Sequence, residues 1–272
     1  MTPHSRFLSS VVLVFISLWC AGAATAQHYQ PFVDPCEFDW DFQLFKPELC
    51  DTCDVAPPSV GWFFTYDRLY WNVTRPIASG SPWDGDFTWG NRMDIGYMTE
   101  EDTGWLFGAL HLDGPQEDDV NRANLSGVEL NKTWRLPRFH NGAVLEPLLG
   151  VRYLKFEDYT SPSNPTENNI LGGQFGGRYF NRRGRWLLSS ELRFFLAENF
   201  QFLTGEDEHE FVPAGELRLQ AAFNFTNKVA LRVGWDLLYL GKGIARANPV
   251  ATGINDEDVT VTGVGFGFTV NR

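Results

Sequence analysis

The side chains able to do chemistry in this sequence fall into three sets. The largest is a series of arginines and carboxylates at short spacings: Arg92 and Asp94, Glu129 and Arg135, Glu146 and Arg152, Arg178, Arg185, Glu191 and Arg193, Glu216 and Arg218, Arg232 and Asp236. A planar guanidinium bonds a carboxylate in a fixed fork, so arginine-acid pairing suits a narrow enclosure, whereas a solvated surface is normally richer in lysine. The second set is Cys36, Cys50 and Cys53, the last two spaced Cys-Asp-Thr-Cys. This spacing fits a disulfide, a metal site or a redox pair. Three cysteines in an oxidising compartment favour one disulfide with one spare thiol, and no set of zinc ligands is completed, the nearest histidine being His28. The third set is acidic, at 116–119, at 206–210 around His209, and at 255–258. Hard divalent cations prefer such oxygen ligands, yet no stretch has a complete calcium-binding spacing. A hydrolytic site at His209 needs a base and a water-orienting carboxylate projecting together; no Ser-His or Asp-His spacing is diagnostic, and a solvated acidic loop is the simpler reading. No catalytic residue, cofactor or metal site is expected.

The elements that must position these groups are strands. From residue 61 onward apolar residues recur mainly at every second position, the period that sends successive side chains to opposite faces. Within 228–240, Val229, Leu231, Val233, Trp235, Leu237 and Tyr239 share one face, while Lys228, Arg232 and Asp236 share the other. Leu217, Leu219, Ala221, Phe223 and Phe225 alternate with Glu216, Arg218, Gln220, Ala222 and Asn224, and Thr226-Asn227 makes a tight turn between the two runs. The same pattern predicts ten strands, over 61–73, 88–98, 103–112, 126–135, 143–157, 168–180, 185–197, 211–225, 228–240 and 258–270. Residues 190–200 place Leu192, Phe195, Leu196 and Asn199 at helical spacing, but glycine-rich neighbours and the lack of a cap favour a strand there. Pro147 must stand where no ladder donor is required.

The connections alternate long and short, with 99–102, 136–142, 181–184 and 226–227 short. An even strand number with that alternation predicts an all-β, antiparallel, up-and-down transmembrane β-barrel with short periplasmic turns, longer outer loops and both termini on the short-turn side. The charged set then lines the lumen, and Trp71, Trp89, Trp134, Trp186, Trp235 and Tyr239 suit the aromatic girdles at the lipid interfaces. A soluble sandwich or lipocalin-like barrel would alternate too, with its apolar face inward.

Composition limits the alternatives. The 272 residues are 43% hydrophobic and 15% aromatic with a formal net charge of −12, too apolar for disorder and too acidic for a nucleic-acid partner. Arg6, the apolar run 7–20 and Ala24-Thr25-Ala26 read as a signal peptide over 1–26, which implies a working place outside the cytoplasm. Residues 27–59, broken by Pro35, Pro47, Pro57 and Pro58 and holding the three cysteines, read as a periplasmic extension, and 60–272 as an outer-membrane barrel. Beyond the signal segment no unbroken apolar stretch approaches the ~20 residues of a membrane helix.

Several stretches resemble the bacterial β-barrel porin 7 family: Gly150-Val151-Arg152-Tyr153-Leu154-Lys155-Phe156-Glu157-Asp158, then 168–180, the hairpin Asn181-Arg182-Arg183-Gly184-Arg185, and 229–244. The resemblance covers about residues 60–272 and implies an outer-membrane barrel with porin-like transport; it transfers no catalytic residues. The chain is compact for that family. About ten strands make a barrel little wider than the eight-stranded kind filled by side chains, far below the ~16–18 strands of aqueous porins. The expectation is therefore a porin-like barrel with a narrow, charge-lined lumen passing small solutes or ions. The alternative is a structural or surface-interaction barrel plugged by its own side chains. Expected partners are outer-membrane lipids, with divalent cations at the acidic loops.

Overall fold

The computed structural model describes residues 60–74, 85–113, 122–139, 142–159, 165–203, 206–226, 228–246 and 255–271. The expected signal segment, Cys36, Cys50 and Cys53, and the acidic stretch 116–119 lie outside the described residues. Ten strands are present: β1 (Gly61–Thr74), β2 (Gly85–Met98), β3 (Thr103–Leu112), β4 (Arg122–Trp134), β5 (Val144–Tyr159), β6 (Pro165–Arg183), β7 (Trp186–Leu203), β8 (Glu206–Asn224), β9 (Val229–Arg246) and β10 (Asn255–Asn271). Each pairs antiparallel with its sequence neighbours, and β10 returns to β1 through a ladder running from Phe63↔Asn271 to Val73↔Val261. Closure leaves no edge strand and satisfies the backbone within the wall.

The short connections are built by local chemistry. Between β6 and β7 only Gly184 and Arg185 intervene, and Gly184 takes a positive φ of 58°, which a residue without Cβ adopts freely. Between β8 and β9 the Thr226 hydroxyl accepts from the backbone N–H groups of Lys228 and Val229 at 3.1 and 3.0 Å. Pro147 lies in β5 with its nitrogen on the β4 side, just past Thr133↔Leu148, the last registered pair of that ladder. No donor is needed there, which is why a proline is tolerated.

The strands run further toward the long-loop end than alternation predicts. β7 and β8 stay paired out to Leu203↔Glu206, so most of 198–210, expected as a loop, is hairpin. The reason lies in a change of polarity along the strands. On β5 the outward residues Leu149, Val151 and Tyr153 give way to Lys155 and Glu157, while the inward Glu146 and Arg152 give way to Leu154 and Phe156. On β7, outward Leu192, Phe194 and Leu196 are followed by Glu198, and inward Arg193 by Phe195 and Ala197. On β10, read from its other end, outward Val264, Phe266 and Phe268 succeed Asp258, Thr260 and Thr262, and inward glycines succeed Val259 and Val261.

The lower part of the barrel is thus apolar outside and polar inside, and the upper part is the reverse. In the upper part Leu69, Trp71, Leu112, Leu125, Leu154, Phe156, Ile170, Leu240, Val259 and Val261 form one cluster inside the barrel. Removing such a side chain from water contributes about 1.5–3 kcal/mol each, so this layer acts as a core for the part of the wall whose exterior is polar.

Candidate functional site

The interior of the barrel is where the charged set converges. Alternation along each strand turns every second residue inward, and the register sets inward residues of neighbouring strands side by side: Asp67 faces Arg92, Glu129 faces Arg152, Arg178 faces Glu191, and Arg218 faces Asp236. Asp67 accepts from Arg92 at 2.9 Å and lies 3.1 Å from Arg232. Arg92 also reaches Asp236 at 3.2 Å, linking β2 to β9 across the lumen. Glu216 takes Arg218 at 2.7 Å and also pairs with Arg152. Arg193 bonds Glu191 at 2.7 Å and Glu129, and Gln174 donates to Glu129 and Asn131 at 3.0 and 2.7 Å. Asp94 is held more loosely, 3.8 Å from Arg218. Toward the short-turn end Glu146 receives both Arg135 and Arg178 at 2.8 Å. Such a network is satisfied only when it is complete, because a charge left without its partner inside a low-dielectric wall is costly.

Above the network lies the apolar cluster, and guanidinium groups meet its rings from both sides. Arg92 sits 5.9 Å from the Trp71 ring centre and Arg152 6.0 Å from Phe195; from the outer end Arg246 sits 5.3 Å from Phe156. Cations over ring faces are attracted by the ring quadrupole, so the ionic and apolar layers grip each other.

The mouth is closed by the wall itself. Between Leu240↔Val259 and Ile244↔Glu257, three residues of β9 (Gly241, Lys242, Gly243) stand opposite one of β10, Asp258. An irregularity of this kind bends the strand. Gly243 takes φ 103°, and a Cβ there would come within 2.9 Å of the Phe211 carbonyl oxygen. Beyond the bend the chain turns inward. Asn199 donates to the Gly243 carbonyl at 2.7 Å, and Asn168 exchanges bonds of 2.7 and 2.9 Å with the Ala245 backbone. Arg246 donates to Asp158 at 2.7 Å and to the Thr74 carbonyl at 3.0 Å. Ile244, Ala245 and Arg246 are all buried.

Of the residues expected in the lumen, Arg92, Asp94, Glu129, Glu146, Arg152, Arg178, Glu191, Arg193, Glu216, Arg218, Arg232 and Asp236 have inward positions, and Arg135 joins them just past the end of β4 through Glu146. Arg185 does not. It stands exposed in the β6–β7 turn, because β6 continues to Arg183 and leaves it outside the ladder. Trp71 does not belong to the outer girdle; it is 1% exposed and points inward, since it shares the face of Asp67 and Leu69. The other five of that girdle set, Trp89, Trp134, Trp186, Trp235 and Tyr239, are on the outward face. The acidic stretches at 206–210 and 255–258 are strand and not loop; Glu257 is buried, and Asp258 accepts from the Tyr239 hydroxyl at 3.2 Å. His209 lies 3.2 Å from Glu198, both half exposed, on the outer face. Among the described residues no group of three or more His, Cys, Asp or Glu is placed to hold a metal.

Sequence reasoning missed Asp67, Asn131, Gln174, Asn168, Asn199, Asp158 and Arg246. Asp67, Gln174 and Asp158 were visible as polar residues in step with inward neighbours, but Arg246 lies beyond the irregularity of β9, where alternation gives no guide.

The outer wall decides the environment. Trp105, Phe107, Leu149, Val151, Leu171, Leu192, Leu196, Leu231, Val233 and Phe266 face outward with 45–57% of their surface exposed. Soluble proteins rarely expose a contiguous apolar band of this extent, whereas a transmembrane barrel carries one on its lipid face. This is a transmembrane β-barrel. Its even strand number, short turns at one end and aromatic-rich apolar band are those of a bacterial outer-membrane barrel. No protein-family model matches the chain, and no curated protein matches its sequence. Solved structures of similar fold include the outer membrane protease OmpT from Escherichia coli, at 9% identity and a TM-score of 0.49, covering 82% of this chain and 99% of that one. Neisserial surface protein A aligns at 12% identity and a TM-score of 0.39 over 79% of this chain and 99% of its own. The attachment invasion locus protein Ail of Yersinia pestis aligns at 11% identity and 0.33 over 77% and 99%.

Proposed function

We propose that this barrel works in the bacterial outer membrane as a closed, non-conducting structural or surface-interaction protein, and not through the porin-like passage of small solutes that its sequence led us to expect. The observation that supports this reading is the filled interior. An ion network and an apolar layer are stacked along the lumen, with Leu69, Leu112, Leu125, Leu154, Phe156, Ile170 and Leu240 at 0% exposure, and the bent end of β9 lies over them. A conducting pore needs a continuous polar or wettable path, and an apolar layer this tightly packed offers none.

The collar beyond the membrane gives the protein something to present instead. Its outer surface carries Glu157, Glu167, Glu198 and Lys242, and its apolar filling makes it a rigid platform. Outer-membrane lipids are the partners of the apolar band below it. Single-channel recording of the refolded full chain in a planar bilayer tests the proposal. Insertion without conductance steps is the expected result. Steady, small, anion-leaning steps would overturn it and restore the narrow transport role that the resemblance to the β-barrel porin 7 family implies.

A further inference from the structure

Below the ion network, at the short-turn end, the described residues do not fill the lumen. A cavity of about 250 Å³ opens there between the ends of β1, β5, β6, β7 and β8. Five arginines and three carboxylates line it, and the carboxylates are already engaged: Glu146 by Arg135 and Arg178, Glu191 by Arg193, and Asp94 by Arg218. The surplus charge of the lining is positive.

Arg178 is the pivotal group. Its side chain is 11% exposed, its Nη2 bonds Glu146, and its buried Nε has no hydrogen-bond partner. Its guanidinium lies 5.5 Å from the Phe180 ring centre and 5.9 Å from that of Phe63. The two rings flank the cation, and an acceptor entering the cavity would meet a guanidinium able to give it a charge-assisted bond. Several polar atoms of the interior have no hydrogen-bond partner, and Arg178 Nε is the one on a cation that also lines this cavity and meets two of its rings. Met98, Val144 and Leu187 add apolar surface, while Ser189, Gln220 and Asn224 add hydrogen-bonding groups. This mixture of apolar walls and a few convergent polar groups is the usual makeup of a small-molecule site.

We propose that this vestibule binds a small organic acid, a carboxylate carried on a flat apolar body, entering from the short-turn side with its carboxylate at Arg178 and its body against Phe63 and Phe180. The proposal is independent of whether the barrel conducts.

The test uses para-fluorobenzoate as probe with the refolded full chain in non-ionic detergent, read by fluorine NMR line width. Saturable broadening, displaced by unlabelled benzoate and not by benzylamine, is expected. Arg178→Gln removes the anchoring cation, and Ser189→Trp fills the cavity without touching a charge; each should weaken binding by about tenfold or more. Folding of both variants is checked by heat-modifiable gel mobility, and Ser189→Trp decides alone if Arg178→Gln does not fold. Absence of saturable binding to the parent, equal displacement by benzylamine, or unchanged binding in a folded Ser189→Trp variant would overturn the proposal.

Discussion

Arg246, near the outer end of β9, donates from Nε to Oδ2 of Asp158 on β5 at 2.7 Å, with both side chains 1% exposed. The two strands are not neighbours in the wall, so the bond spans the mouth and pins the bent tip of β9 against the far side. Removing one partner takes this ion pair away from a charge that stays buried, whereas removing both does not.

Arg246→Ala or Asp158→Ala should therefore cost about 3–5 kcal/mol of stability, while the double change Arg246→Met with Asp158→Leu should cost far less. Urea unfolding in lipid vesicles, followed by tryptophan fluorescence, measures the difference. Equal losses in single and double variants would show that the bond is not what holds the tip.

In the middle of the lumen, Arg152→Ala or Arg218→Ala leaves Glu216 short of a partner and should destabilise by a similar 3–5 kcal/mol. Conductance should nevertheless stay absent, because the apolar layer above is untouched. A folded Arg152→Ala barrel that leaks would place the seal in the ion network instead.

On the outer wall, Leu231 and Val233 are 52% and 55% exposed to the surroundings. Lysine at Val233, nearer the middle of the band, should cost about 2–4 kcal/mol on insertion, and lysine at Leu231, nearer the β8–β9 turn, less. Folded yields into vesicles compare the two. A Val233→Lys chain that inserts as well as its parent would put that face of β9 out of contact with lipid.

At the seam where β10 meets β1, a Cβ on Gly263 would lie 2.2 Å from the Tyr70 carbonyl oxygen and 2.6 Å from Trp71 Cα. Gly263→Val should prevent closure and abolish heat-modifiable mobility. Gly173, on the lipid face with nothing within 4 Å of its missing Cβ, should accept alanine with a change within about 0.5 kcal/mol.

Strand number, topology and the identity of most interior charges were readable because alternation is strict where one face meets lipid and the other a polar lumen. Lys228 to Asp236 is such a stretch, and its inward arginine and aspartate could be picked out directly. The apolar layer escaped notice because alternation carries no label for inside and outside. Where both faces are apolar, as at Leu237-Leu238-Tyr239-Leu240, the period vanishes into a continuous run of the kind found in strands buried on both sides. Trp71 was assigned outward for the same reason, since tryptophan suits either a girdle or a core. The inward bend of β9 depends on Gly243 and on partners as distant in sequence as Thr74, and no local pattern announces such a contact.

Where the two faces exchange polarity, short stretches are apolar on both sides: Leu69 to Trp71 in β1, Phe194 to Ala197 in β7, Leu237 to Leu240 in β9. Before insertion these stretches have no side to offer to water, and as exposed apolar segments they associate with one another or with holding chaperones. The stopper of the finished barrel is thus an aggregation-prone part of the unfolded chain, which makes delivery to the membrane a vulnerable step in making this protein.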